Sequence, residues 1–151
     1  MDQYNDITLI RQFNRKYTQY LGVFDKEIFN TDLTWSEARI LLEMQLNDLE
    51  TVTSIAHFLK VDKAYISRII KKFKKQDLIE LVQDKTDGRK QLITFTPAGL
   101  MLLETIDTAS NAQINNLFTD MSQADMSIIL QAMQLMTTAL DTKEEDNHVA
   151  N

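Results

Sequence analysis

The residues best suited to chemistry in this chain are cations. Lys63, Tyr65, Ser67, Arg68, Lys71, Lys72 and Lys75 fall within the stretch KAYISRIIKKFKK, followed after a short interval by Lys85, Arg89 and Lys90. Guanidinium, hydroxyl and phenol groups can hydrogen-bond to the edges of nucleic-acid bases, and ammonium groups neutralise phosphates. Residues 60 to 90 hold ten of the sixteen Lys and Arg but only five of the twenty-two acids, a balance of +5. The remainder carries six bases against seventeen acids, or −11, which reconciles with the overall −6. A polyanion would therefore meet one basic surface on an otherwise acidic molecule. A solvated basic helix is the competing explanation of the same charges.

The elements that must present these cations follow from apolar spacing. One Pro and three Gly in 151 residues predict a helix-rich fold with short connections. Ile7, Ile10, Phe13, Tyr17, Leu21, Phe24 and Ile28 predict an amphipathic helix from about residue 5 to 29. Thr34 and Glu37 have the form of a capping box opening a helix to about Asn47. Thr51 is the expected cap of a short third helix, and Asp62 that of a fourth from about Lys63 to Gln76. On these two, Ile55, Ala56, Leu59, Val61, Ile66 and Ile69 are the expected inner residues. Leu78 to Val82 and Gln91 to Phe95 read as strands flanking a charged turn at Asp87-Gly88. Thr96-Pro97 restarts a helix to about Thr119, and Ser122 with Asp125 opens another carrying Met126, Ile129, Leu130, Met133, Met136 and Leu140.

Other chemistries lack their parts. Cysteine is absent, which excludes disulfides, thiol nucleophiles and thiolate metal sites. His57 has no second histidine nearby and His148 lies in the polar tail, so no metal is expected. No nucleophile–base pair, glycine-rich phosphate loop or carboxylate cluster points to an enzyme, and no cofactor is expected. The first residues, MDQYNDITLI, lack the features of a secretory signal, and no apolar run approaches a membrane span, giving a cytoplasmic expectation.

Leu33-Thr34, Ile55-Ala56, Val61-Asp62, Ser67-Arg68-Ile69-Ile70, Leu78-Ile79, Asp87-Gly88-Arg89 and Phe95-Thr96-Pro97-Ala98-Gly99 together resemble the successive landmarks of the multiple-antibiotic-resistance regulator (MarR) family, over nearly the whole chain. The resemblance implies a mainly α protein: a winged helix-turn-helix lobe with a two-stranded wing over residues 34–96, and a helical dimerisation region from 1–31 and 97–141, with 142–151 a loose tail. It implies a sequence-specific repressor that binds double-stranded DNA at an inverted repeat as a homodimer. The DNA-binding residues are then Thr53, Ser54, Lys63, Tyr65, Ser67, Arg68, Lys71, Lys72, Lys75, Lys85, Arg89 and Lys90, with Asp87 steadying the wing. Two departures stand out: Lys60 and Asp77 occupy positions where relatives often have glycine, and both positions call for positive φ.

Relatives often bind aromatic anions between the dimer helices and the DNA-binding lobe. Here Tyr17, Tyr20, Trp35 and Arg39 are the candidate pocket for a small aromatic or anionic effector, against the alternative that they are ordinary core aromatics. The rival to the DNA-binding reading is a winged-helix protein-interaction module whose basic face meets an acidic partner.

Overall fold

A computed structural model describes residues 3–88 and 90–149, with side chains over 5–88 and 90–142. Eight elements follow in order: α1 (Gln3–Tyr20), α2 (Trp35–Leu46), α3 (Val52–Leu59), α4 (Lys63–Lys75), β1 (Ile79–Gln83), β2 (Gln91–Phe95), α5 (Pro97–Phe118) and α6 (Gln123–Val149). Two compact units divide the chain, residues 1–110 and 111–151.

The first unit is built around α2, α3, α4 and the β1–β2 hairpin. Each of the three helices starts where the sequence supplies a cap. Thr34 and Glu37 satisfy one another's backbone N–H groups reciprocally, and Thr51 does the same with Ser54, a serine in place of the usual Glu or Gln. The Asp62 carboxylate accepts from the N–H groups of Ala64 and Tyr65 at 2.8 and 3.1 Å. These caps satisfy N–H groups that a helix leaves without partners at its start. Leu33, Ala38, Leu41, Ile55, Ile66, Phe73, Ile79 and Ile106 are all but sealed from solvent and define the core. The strands pair antiparallel from Ile79 opposite Phe95 to Gln83 opposite Gln91. The Ile93 N–H donates to the Glu50 carbonyl at 2.7 Å, so the α2–α3 connection lies along the outer edge of β2.

The Thr96-Pro97-Ala98-Gly99 segment explains itself at the base of the hairpin. The Thr96 hydroxyl donates to the Asp77 carbonyl, its N–H donates to the Leu78 carbonyl at 3.1 Å, and its hydroxyl oxygen accepts from the Gly99 N–H at 3.0 Å. A Cβ on Gly99 would lie 2.0 Å from the Leu78 carbonyl oxygen, so only glycine lets α5 approach this closely. Leu103 and Ile106 then bury the next turns of α5.

Three details correct the sequence reading. The first helix ends at Tyr20, well short of residue 29. Gly22 stands at φ 67°, while the Val23 N–H reaches the Thr18 carbonyl and the Gly22 N–H that of Gln19. These bonds close a Schellman cap, in which a left-handed glycine stops the helix. Ile28 is buried from a loop, where it bridges to Thr31, whereas Phe24 is 88% exposed. Val61, expected inside, is 39% exposed at the α3–α4 turn. The last helix runs to Val149, past Asp141, where a loose tail is the sequence expectation. Residues 142–149 contain neither Gly nor Pro, and Lys143, Glu144 and Glu145 favour helix.

The second unit comprises the end of α5 and α6. Ser122 caps α6: its hydroxyl oxygen accepts from the Asp125 N–H at 3.1 Å and donates to the Asp125 carboxylate at 2.7 Å. Met126, Ile129 and Met133 are half-buried, while Ile128, Leu130, Leu135, Met136 and Leu140 are exposed.

Candidate nucleic-acid interface

The geometry of α4 begins with its turns. Lys60 ends α3 in the left-handed conformation at φ 53°, and the next N–H, from Val61, reaches back to the Ala56 carbonyl. At the far end of α4, Asp77 is left-handed at φ 58°, and the Leu78 N–H reaches back to the Phe73 carbonyl. Both positions flagged by the sequence thus have positive φ, in side chains that pay a steric cost there.

Between these turns, Ile66, Ile70 and Phe73 turn into the core. At 3.6 residues per turn, the opposite side of the helix is centred on Ala64, Arg68, Lys71 and Lys75, all exposed. Lys63, Ser67 and Lys74 form one flank, and Tyr65 and Lys72 the other, toward α2. Ala64 was not singled out from sequence, because a methyl group carries no polar signal. Its outward position near the helix start is legible only once the buried face is fixed. A groove-facing methyl can pack on thymine, and it lets the neighbouring arginine approach.

Several residues expected to face DNA have other partners. Ser54 uses its hydroxyl in the α3 cap, donating to the Thr51 carbonyl at 2.9 Å, while Thr53 beside it is exposed. The Lys72 ammonium lies 2.7 and 2.8 Å from the two carboxylate oxygens of Glu37. Glu37 is 6% exposed, and its Oε2 also accepts from the Thr34 N–H at 3.0 Å. Burial pushes this carboxyl up, but the Lys72 and Thr34 donors and the Lys72 charge outweigh it and hold it below the usual range. The pairing spans 35 residues of sequence, so no local pattern announces it.

The wing tip is braced by its own side chains. Asp84 Oδ1 accepts from both the N–H and the hydroxyl of Thr86, at 2.8 and 2.7 Å. Those two bonds hold the Asp84 carboxyl below its ordinary value. The Gln83 side-chain amide donates to the Gly88 carbonyl at 2.6 Å, and the Lys90 N–H donates to the Asp87 carbonyl at 2.8 Å. Lys85 and Lys90 are exposed on this turn. Arg89 lies outside the described residues. Asp84 and Gln83 were missed from sequence, although Asp84-x-Thr86 is a recognisable side-chain turn spacing.

The four aromatic and basic residues expected to form one pocket divide into two groups. Trp35 and Arg39 line a cleft of about 320 Å³ with Ser36, Ile40, Leu59, Val61 and Tyr65, and the Arg39 guanidinium lies 5.6 Å from the centre of the Trp35 ring. Tyr17 instead stacks on Phe13, ring centres 5.4 Å apart, and neither it nor Tyr20 lines the cleft.

A helix-turn-helix whose second helix is basic on its outer side, closed by an antiparallel hairpin, defines a winged helix-turn-helix domain, a fold of DNA-binding transcription regulators. Residues 31–90 match the model of the MarR family. The lobe carrying the basic helix is therefore similar to that family over those residues.

Among individual relatives, the HTH-type transcriptional regulator SarZ of Staphylococcus haemolyticus is 21% identical over 120 residues, 80% of this chain and 76% of that protein. A MarR family protein from Bacillus stearothermophilus superposes with a TM-score of 0.78 at 12% identity, covering 93% of this chain and 99% of the other. BpsR of Bordetella bronchiseptica, whose DNA binding is regulated by 6-hydroxynicotinic acid, superposes with a TM-score of 0.65 at 21% identity, covering 86% of this chain and 98% of that one. At these identities the structural likeness is one of fold. Among the described residues, no helix is long and apolar enough to cross a membrane.

Proposed function

We propose that this protein is a sequence-specific repressor of transcription that binds double-stranded DNA in the cytoplasm as a homodimer. The observation that carries the reading is the outer side of α4, where Arg68, Lys71 and Lys75 stand opposite the buried Ile66, Ile70 and Phe73. A helix of this kind fits a major groove about 12 Å wide, with Arg68 reading base edges and the lysines positioned on phosphates. Lys63, Lys85 and Lys90 add further positive charge and Thr53 and Ser67 add hydroxyl groups for the same duplex, while Arg89 with Asp87 supplies the wing contact that the family resemblance implies.

Dimerisation is supported by the exposed apolar residues of α1 (Ile7, Leu9, Ile10 and Phe13) and of α6 (Ile128, Leu130, Leu135 and Met136). A two-fold dimer places its recognition helices about 34 to 36 Å apart and so reads an inverted repeat. Repression follows from occlusion of the polymerase. A small aromatic or anionic effector relieves it, with the Trp35–Arg39 cleft as its site. The volume of that cleft and its single guanidinium suit such a molecule, and BpsR supplies the precedent of a regulator controlled by an aromatic acid.

Selection of bound duplexes from a random pool tests the reading. An inverted repeat with half-sites one helical turn apart is the expected product, and Arg68→Ala weakens binding to it by about 1 to 3 kcal/mol. A pool that never enriches, together with DNA binding that appears only in the presence of a second protein, would establish the interaction-module reading instead.

A further inference from the structure

Lys72 sits on the basic helix, yet its ammonium is turned away from the outer side of that helix and chelates both oxygens of a buried carboxylate on α2. We propose that Lys72 and Glu37 form a clamp that fixes the rotation of α4 about its own axis, so that Lys72 is a positioning residue for base reading rather than a phosphate contact. The inference rests on the DNA-binding function proposed above and assigns how that same helix is aimed.

Three features argue for it. Among the described residues, the other side chains of α4 that seat it against the core are apolar: Ile66, Ile70 and Phe73 fix its depth, but apolar packing has little directionality and constrains rotation weakly. A pair of charge-assisted hydrogen bonds is directional, and here it acts on the flank of the helix, where a rotation must stretch or break it. Glu37 is itself held in place. Its Oε2 accepts from the Thr34 N–H, it belongs to the capping box of α2, and its neighbours Ala38, Ile40 and Leu41 are in the core. Finally, moving the ammonium out to a phosphate would strand a buried carboxylate without its counter-charge, which is more costly than an exposed phosphate contact is favourable.

The lever is short but sufficient. A rotation of about 15° moves a side-chain group roughly 5 to 6 Å from the helix axis by about 1.5 Å. That exceeds the tolerance of a hydrogen bond, whose length varies by only about 0.5 Å. Arg68 lies one turn before Lys72 on the same helix, so a released clamp misdirects it at base edges. Phosphate contacts tolerate the same rotation because an exposed phosphate accepts from many directions, whereas the Glu37 carboxylate is buried and held by the Thr34 N–H.

The experiment measures affinity of the full chain for its selected duplex and for a scrambled duplex, across a range of salt concentrations. The variants are Lys72→Met, Lys72→Arg, Glu37→Gln and the double variant Glu37→Gln/Lys72→Met. Each single loss is expected to lower the selected-to-scrambled ratio about tenfold while leaving the dependence of log affinity on log salt unchanged. Lys72→Arg, which can still bind the carboxylate through two bonds, keeps the ratio. The double variant leaves no unpaired buried charge, and its Gln retains the helix cap, so its melting temperature recovers while its ratio stays low.

A Lys72→Met variant whose salt slope falls by about 0.9, with both duplexes weakened alike, would make Lys72 a phosphate contact and overturn the proposal. Recovery of the ratio in the double variant would overturn it as well, by reducing the pair to a stability effect. A wild-type chain that does not prefer its selected duplex defeats the DNA-binding reading itself. A wild-type preference that survives in the double variant defeats only the clamp.

Discussion

The basic lobe and the terminal helices solve the burial problem in opposite ways. In α2, α3 and α4 the large apolar side chains of the inner faces are inside, each helix has a side-chain cap, and the buried glutamate has its cation. Along α1 and α6 the apolar residues recur at helical spacing, but most of them stand exposed in the chain by itself and the others are only half-buried. The lobe completes its packing within the chain, with Ile28, Leu33, Leu103 and Ile106 joining its core, so its inner faces are covered before any ligand arrives. The terminal helices carry a stripe whose burial needs further protein surface, and in the proposed dimer that surface is a second copy.

The sharpest way to break this contrast is from inside the lobe. Phe73→Ala opens a cavity beneath α4 and is expected to cost about 3 to 5 kcal/mol in denaturant unfolding. A loss under 1 kcal/mol would mean that the lobe is not self-contained. Leu135, 72% exposed on α6, is the matching probe of the other region. Leu135→Lys is expected to remove about 1.5 to 3 kcal/mol of association per subunit, read by sedimentation equilibrium, without altering the fold of the lobe. An unchanged association constant would place the second copy elsewhere.

A smaller effect sharpens the comparison through pH. The folded-state pKa of Glu37 is depressed, so its stabilising contribution is present above its unfolded value and is lost as pH falls through the folded one. Thermal melts should therefore fall away below about pH 4.3, more steeply in the wild type than in Glu37→Gln. Coincident pH profiles would remove the ion pair from the lobe's stability. The smallest effect is a gain: Lys60→Gly relieves a left-handed side chain at the α3–α4 turn, offset by the greater entropy of glycine in the unfolded chain. The expected increase is under about 1 kcal/mol, and Asp77→Gly should give less because aspartate tolerates that conformation better.

What the sequence made legible was local. Thr34 with Glu37, Thr51, Asp62 and Thr96-Pro97 each marked a helix start, because capping acts over three or four residues and leaves its partners side by side in the chain. The positive φ at Lys60 and Asp77 was readable from the family resemblance, because relatives often carry glycine at both positions.

Differences from the sequence reading arose where spacing mimicked structure or where partners were distant. Phe24 and Ile28 continued the apolar rhythm of α1 by coincidence, and Gly22 before them was the stronger signal. Trp35 and Arg39, four residues apart on one helix, did meet at a cleft, but Tyr17 and Tyr20 did not join its lining. Lys72 looked like its neighbours in a lysine run, since only tertiary folding brings Glu37 to it.

The close seat of α5 on the hairpin has a mechanical consequence. With Gly99 against the Leu78 carbonyl and Thr96 bonded to Asp77 and Leu78, the root of the wing and the opening turn of α5 move as one piece. Any agent that tilts that turn swings the hairpin tip through an arc, so reach into a neighbouring groove is governed from the helix behind the wing.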